Sequence, residues 1–268
     1  PMPRRSMRLL SVAVVAACFA SGCAPRDTAA ATTPPAVTTH GEWVAFANAA
    51  GDTVRAYVGY PERQGRAPAI IVIHEIYGLT DWETQVVDEY AAKGYVAIVP
   101  DLLSSRFGST SALGDSARRI VSTLTREGVL ADLDATWQYI TSQPATATDN
   151  VGTIGFCWGG GTVWNYAAHN PKLKAAVVCY GPLADTLMLQ QVQAPVLGVY
   201  GQNDGRVTNA LPTIVRTMQA LGKSFVADSY AGTGHGFLKP GRTGYGTAEA
   251  ARAQTDIDAF LKKQLEQR

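Results

Sequence analysis

Histidine and cysteine are both scarce, with four of each in 268 residues. Cys18, Cys23, Cys157 and Cys179 are too few and too dispersed for a disulfide framework. No Cys/His pair has the spacing of a zinc site, so no structural metal is expected. Charge of one sign is lacking as well: 23 Lys and Arg against 22 Asp and Glu leave +1. With no basic stripe and no interleaving of basic and aromatic residues, nucleic-acid binding is excluded. Long apolar runs are missing too. The run from Leu9 to Ala20 falls short of the roughly 20 residues that span a bilayer. No internal repeat breaks the chain into modules.

What that N-terminal run offers instead is an export signal over residues 1–22. Arg4, Arg5 and Arg8 precede it, and Ala20-Ser21-Gly22 leads into Cys23, giving a charged, then apolar, then small-residue order. The segment resembles a bacterial lipoprotein signal, in which Cys23 becomes the lipidated first residue of the mature chain. Ala20 stands where leucine is commoner, which leaves ordinary signal cleavage as the alternative, and Arg4-Arg5-Ser6-Met7 resembles a twin-arginine signal. The expectation is an exported bacterial protein, periplasmic or held at the membrane only by an N-terminal lipid. Residues 23–41, rich in Ala, Thr and Pro, cannot bury a core and read as an extended tether.

Residues 42–268 read as one domain. Alternation around Ala49-Ala50-Gly51-Asp52 predicts a β-hairpin of 43–48 and 54–60. Continuous apolar runs at 69–73, 95–99, 175–180 and 196–200 read as strands covered on both faces, with a further strand at 224–230. Pro100-Asp101 is expected to stop the second run. Helices are expected at 82–93, 130–142, 209–221 and 248–265, and loops with a short helix over 102–129. Strand alternating with helix implies an α/β domain: a mostly parallel central sheet flanked by helices on both faces. With 46% hydrophobic residues, the chain can bury one substantial core.

The candidate chemistry centres on Gly155-Phe156-Cys157-Trp158-Gly159-Gly160-Gly161. A strand runs into a cysteine with glycines two residues before and after it, and a helix follows. Small neighbours let strand and helix close into a sharp elbow. At the helix N-terminus, the dipole and free N–H groups favour a thiolate and can hold an oxyanion. The competing reading is a buried structural cysteine beside a Gly-rich turn. A nucleophilic thiol needs a base and a group that orients it. Asp204 lies just past the 196–200 strand, and His235 lies in a Gly-rich loop after Tyr230. Nucleophile, acid, histidine is the chain order of α/β hydrolases. A turn-capping role for Asp204 and a solvated loop position for His235 are the alternatives. Past the first buried strand comes His74-Glu75-Ile76-Tyr77-Gly78. In this fold that loop supplies one oxyanion N–H, here Ile76, with Trp158 supplying the other. Glu75 is unusual beside a thiol, whose ionisation it should hinder; a salt bridge or a solvated strand end are its plainer roles.

Together, His-Glu-Ile-Tyr-Gly at 74–78, Val-Pro-Asp-Leu at 99–102, Gly-Phe-Cys-Trp-Gly-Gly at 155–160, Gly-Gln-Asn-Asp at 201–204 and Gly-His-Gly-Phe at 234–237 resemble the dienelactone hydrolase (carboxymethylenebutenolidase) family of the α/β-hydrolase fold. The resemblance implies a Cys157, His235, Asp204 triad in which Glu75 holds the resting thiol less reactive until substrate displaces it. It implies hydrolysis of a small ester or lactone, with no metal or organic cofactor; separately, a monomer is expected. Members acting on dienelactone clamp its carboxylate with arginines, one of them four residues after the histidine; here that position is Lys239, with Arg242 beyond it. The other clamp would come from Arg118 or Arg119, and Tyr77 is a further candidate contact. Lysine offers a point charge and not a fork, and export sits badly with cytoplasmic catabolism, so a different ester or lactone is expected. Acyl transfer, thioester or peptide hydrolysis, and non-catalytic binding in the envelope are the alternatives.

Overall fold

The computed structural model describes residues 38–266. The export signal, Cys23 and most of the tether lie outside the described residues. The chain runs β1 (Thr39–Ala47), β2 (Thr53–Pro61), β3 (Ala67–Ile73), α1 (Asp81–Ala92), β4 (Val96–Asp101), α2 (Ser104–Phe107), α3 (Thr110–Leu113), α4 (Ala117–Val121) and α5 (Arg126–Ser142). It continues through β5 (Thr146–Phe156), α6 (Trp158–His169), β6 (Ala175–Cys179), β7 (Val196–Gly201), α7 (Gly205–Thr208), α8 (Leu211–Ala220), β8 (Phe225–Tyr230) and α9 (Ala248–Leu265). One eight-stranded sheet results, in the order β1-β2-β4-β3-β5-β6-β7-β8. The β1–β2 and β2–β4 pairs are antiparallel; from β4 to β8 every pair is parallel.

Period-two alternation along the buried strands divides the core into two layers. Ile71 and Ile73 face the layer filled by Leu133 and Ile140 of α5, Val163 and Trp164 of α6, and Ile214 and Met218 of α8. Ile70 and Val72 face Val86, Val87 and Tyr90 of α1 and Ile257, Leu261 and Leu265 of α9. Each fully buried aliphatic side chain contributes about 1.5–3 kcal/mol, so a strand apolar on both faces is fixed between two helical layers.

Three departures from the sequence expectation have a local reason. Strand β1 begins at Thr39, ahead of Glu42, because its register with β2 extends to Thr39 opposite Pro61. Strand β4 runs through Pro100 and Asp101: β3 pairs with it only as far as Ile98 while β2 continues alongside, an edge-like setting that tolerates proline. Helix α5 starts at Arg126, since the Thr125 hydroxyl accepts from the Gly128 N–H at 3.2 Å and caps it there. The helix expected over 209–221 is α8, with Pro212 in its first turn; the four-residue α7 precedes it. Among the described residues, no helix is long and apolar enough to cross a membrane.

Candidate active site

Strand β5 ends where Cys157 takes φ 56°, ψ −114°, and α6 begins at the next residue. A non-glycine residue in the left-handed region costs about 1–3 kcal/mol, so its surroundings must impose it. The Cys157 N–H donates to the Cys179 carbonyl at 3.0 Å, and the Cys157 carbonyl accepts from the Gly161 N–H at 3.1 Å. A Cβ on Gly159 would strike the carbonyl oxygens of Ile73 and His74, and one on Gly155 would strike that of Gly159. The absence of a side chain at these two positions lets β3, β5 and α6 approach this closely. The elbow therefore delivers the sulfur to the carboxyl edge of the sheet.

Two loops meet it there. His235 Nε2 lies 3.0 Å from Cys157 Sγ, and His235 Nδ1 lies 2.5 Å from Asp204 Oδ2. A carboxylate only accepts, so Nδ1 carries the proton and Nε2 presents its lone pair to the thiol. Asp204 is buried at 4% exposure, with Arg206 Nε 3.5 Å from its other oxygen. Burial pushes the Cys157 thiol above its ordinary pKa, and the Glu75 charge adds to this. Hydrogen bonds from the Trp158 and Ile76 N–H groups to the sulfur, together with the Arg206 charge, pull the other way. The two N–H groups expected to form an oxyanion hole thus both favour the anion on the sulfur.

Glu75 is buried at 2% exposure, but its partner differs from the one the resemblance implies. Its Oε2 accepts from Lys239 Nζ at 2.9 Å, and among the described residues no hydrogen bond joins it to Cys157. Only its charge reaches the sulfur. Lys239, expected as a substrate contact, is turned inward: Glu83 Oε1 lies 3.8 Å away, and the ammonium sits 4.6 Å from the Trp82 ring centre and 5.7 Å from that of Tyr77. Tyr77 also has Arg118 and Arg242 over its ring, at 5.7 and 6.0 Å, and these two cations are exposed. Arg119 lies exposed on α4, with no side-chain contact to these residues among those described.

Several residues that shape the site carry no individual signal in the sequence. His74 is fully buried and stacks on Trp158 at 5.5 Å. Its Nε2 accepts from the Leu102 N–H at 3.3 Å, so Nδ1 donates to the Glu75 carbonyl at 2.8 Å, pinning the loop that carries Ile76. Tyr180, at φ 41°, sets its ring edge against His235 at 5.3 Å. Glu83 belongs to the capping box of α1 with Thr80. The Thr-x-x-Glu pattern at 80–83 signals that cap, but not that the carboxylate's other oxygen faces Lys239. Among the described residues, no group of three or more His, Cys, Asp or Glu is arranged to hold a metal ion.

Comparison with known proteins places these features in context. The family model described as "Dienelactone hydrolase family" matches residues 54–265. A Yersinia pestis protein provisionally named carboxymethylenebutenolidase is 34% identical over 219 residues, covering 75% of this chain and 80% of that one. A Salmonella typhimurium protein with the same provisional name is 34% identical over 217 residues, covering 75% and 79%. The crystal structure of a Klebsiella pneumoniae protein provisionally assigned as a dienelactone hydrolase superposes with a TM-score of 0.78 at 28% identity, covering 84% of this chain and 99% of that one.

Proposed function

Because this chain belongs to the dienelactone hydrolase family, we propose that it hydrolyses small carboxylic esters or lactones through an acyl-enzyme on Cys157. The observation that carries this reading is the unbroken line from Cys157 Sγ through both His235 nitrogens to Asp204. As sulfur bonds to the substrate carbonyl carbon, its proton passes to His235 Nε2, and Asp204 steadies the imidazolium. The carbonyl oxygen gains negative charge and takes the N–H groups of Ile76 and Trp158, which need no reorganisation to receive it. The carbon–oxygen bond to the leaving alkoxide then breaks, and the alkoxide takes the proton from Nε2. Water, losing its proton to the same nitrogen, adds to the thioester; Sγ departs and recovers that proton.

A protein whose name gives its substrate as a lactone, from Bradyrhizobium, is 29% identical over 227 residues, which supports lactones as well as open esters. The test is Cys157→Ala assayed against a panel of aryl esters and lactones. Loss of at least about a thousandfold in kcat/KM is expected, as for removal of a nucleophile acting as one unit with its base. Hydrolysis at the wild-type rate by a folded variant would overturn the proposal.

A further inference from the structure

The arrangement around Lys239 bears on when the thiol is ready to react. Glu75 and Glu83 are both buried, at 2% and 0% exposure. Two carboxylates removed from water repel each other and would repel a thiolate, unless a cation offsets them. Lys239 is the cation that meets both. Its position is fixed from every side. Its backbone N–H donates to the Gly236 carbonyl at 2.8 Å, and its ammonium lies over the Trp82 and Tyr77 rings. Its side chain is 17% exposed. An ammonium donates three hydrogen bonds; here the donors are turned toward the protein's own carboxylates.

We infer that Lys239 is a built-in counter-ion that draws Glu75 away from the sulfur, so that Cys157 and His235 are paired before any substrate arrives and uncharged esters or lactones are accepted. The inference rests on the thiol being the nucleophile. The resting geometry carries it: Sγ is already 3.0 Å from Nε2, while the Glu75 carboxylate is 2.9 Å from Nζ. No anion on the substrate is needed to displace Glu75. A substrate carboxylate offered to Lys239 would have to compete with one the fold has already placed there. Lys239 is thus a positioning residue, acting on the sulfur through Glu75. The other charged or titratable groups facing the sulfur are His235 from the loop after β8, Tyr180 at the end of β6 and Arg206 from α7, with Arg242 within electrostatic reach. None of these touches Glu75 by a hydrogen bond among those described, which leaves Lys239 as the group that neutralises it.

The test is the pH profile of Cys157 alkylation by iodoacetamide, read by peptide mass, in wild type, Lys239→Met, Glu75→Gln and the double variant. With the cation gone, the Glu75 charge acts on the sulfur unopposed, so the K239M profile moves to higher pH and the rate at neutral pH falls about tenfold, the equivalent of one pKa unit. In the double variant, the rate returns to within a few-fold of wild type, because the charge that needed offsetting is absent; Lys239→Arg retains most of the wild-type rate and covers the case in which K239M folds poorly. In parallel, wild type should hydrolyse para-nitrophenyl acetate, and added succinate should not raise alkylation or hydrolysis. A K239M profile superposing on wild type, a K239M defect that Glu75→Gln leaves in place, or a tenfold acceleration by succinate would each overturn the inference. Failure of the nucleophile reading is separately visible, as hydrolysis that survives Cys157→Ala.

Discussion

At the scale of single residues, the chemistry is a contest over one sulfur. Burial and the Glu75 charge hold the proton on Cys157, while two backbone N–H groups and Arg206 favour the anion, and the net direction is upward from the ordinary thiol value of 9.0. A raised pKa keeps the thiolate fraction small until higher pH. The alkylation rate of the wild type should therefore still be climbing at pH 9.0, the ordinary thiol value; a plateau reached near or below neutrality would contradict it. Cys157, Asp204 and His235 were legible in the sequence because each follows a strand, and the fold brings strand ends to one edge. The partner of Glu75 was not legible. Lys239 lies 164 residues away from it, and a pairing at that separation leaves no local pattern. The same holds for His74, whose two hydrogen bonds reach a neighbouring carbonyl and Leu102 in the turn just past β4.

At the scale of elements, the short helices after β4 are tied to the oxyanion loop by one latch. Asp101 at the end of β4 is buried, and its Oδ1 accepts from the Thr110 hydroxyl at 2.8 Å. That hydroxyl in turn accepts from the Leu79 N–H at 3.1 Å. Gly78, at φ 78°, lies so close beneath Thr110 that a Cβ there would strike its hydroxyl. Thr110→Val keeps the shape and removes the link, leaving the buried Leu79 N–H without its partner and Asp101 Oδ1 with the Leu103 N–H alone. A loss of about 1–3 kcal/mol in stability is expected, with kcat falling further than Cys157 alkylation, because the latch steadies the loop carrying Ile76 and not the thiol. Thr110→Ser should restore both, and an unchanged Tm with unchanged kcat in the valine variant would show that the latch is idle. This region was the least legible part of the chain. Helices of four or five residues are too short to show a helical period, and they are held by caps and side-chain bonds that depend on tertiary neighbours. Helices α1 and α9, with 12 and 18 residues, showed theirs plainly.

At the scale of the whole molecule, the alternation of buried strands and helices fixed the layer architecture, since strands apolar on both faces require helices on both sides. The strand order is less local: β4 inserts between β2 and β3, which the pattern of elements alone does not dictate. The family match runs from residue 54 to 265, beginning within β2, and β1 lies at the sheet edge, paired along β2 from Thr39 to Ala47. The sheet's function is to hold β3, β5, β7 and β8 in register so that four loops meet at one sulfur. The most direct measurement is the intact mass of the protein during turnover of para-nitrophenyl acetate, with wild type and Cys157→Ala side by side. An acetyl adduct mapped to Cys157 in the wild type, absent along with hydrolysis in the variant, is the predicted result. An adduct on another residue, or undiminished hydrolysis by the alanine variant, would contradict the account.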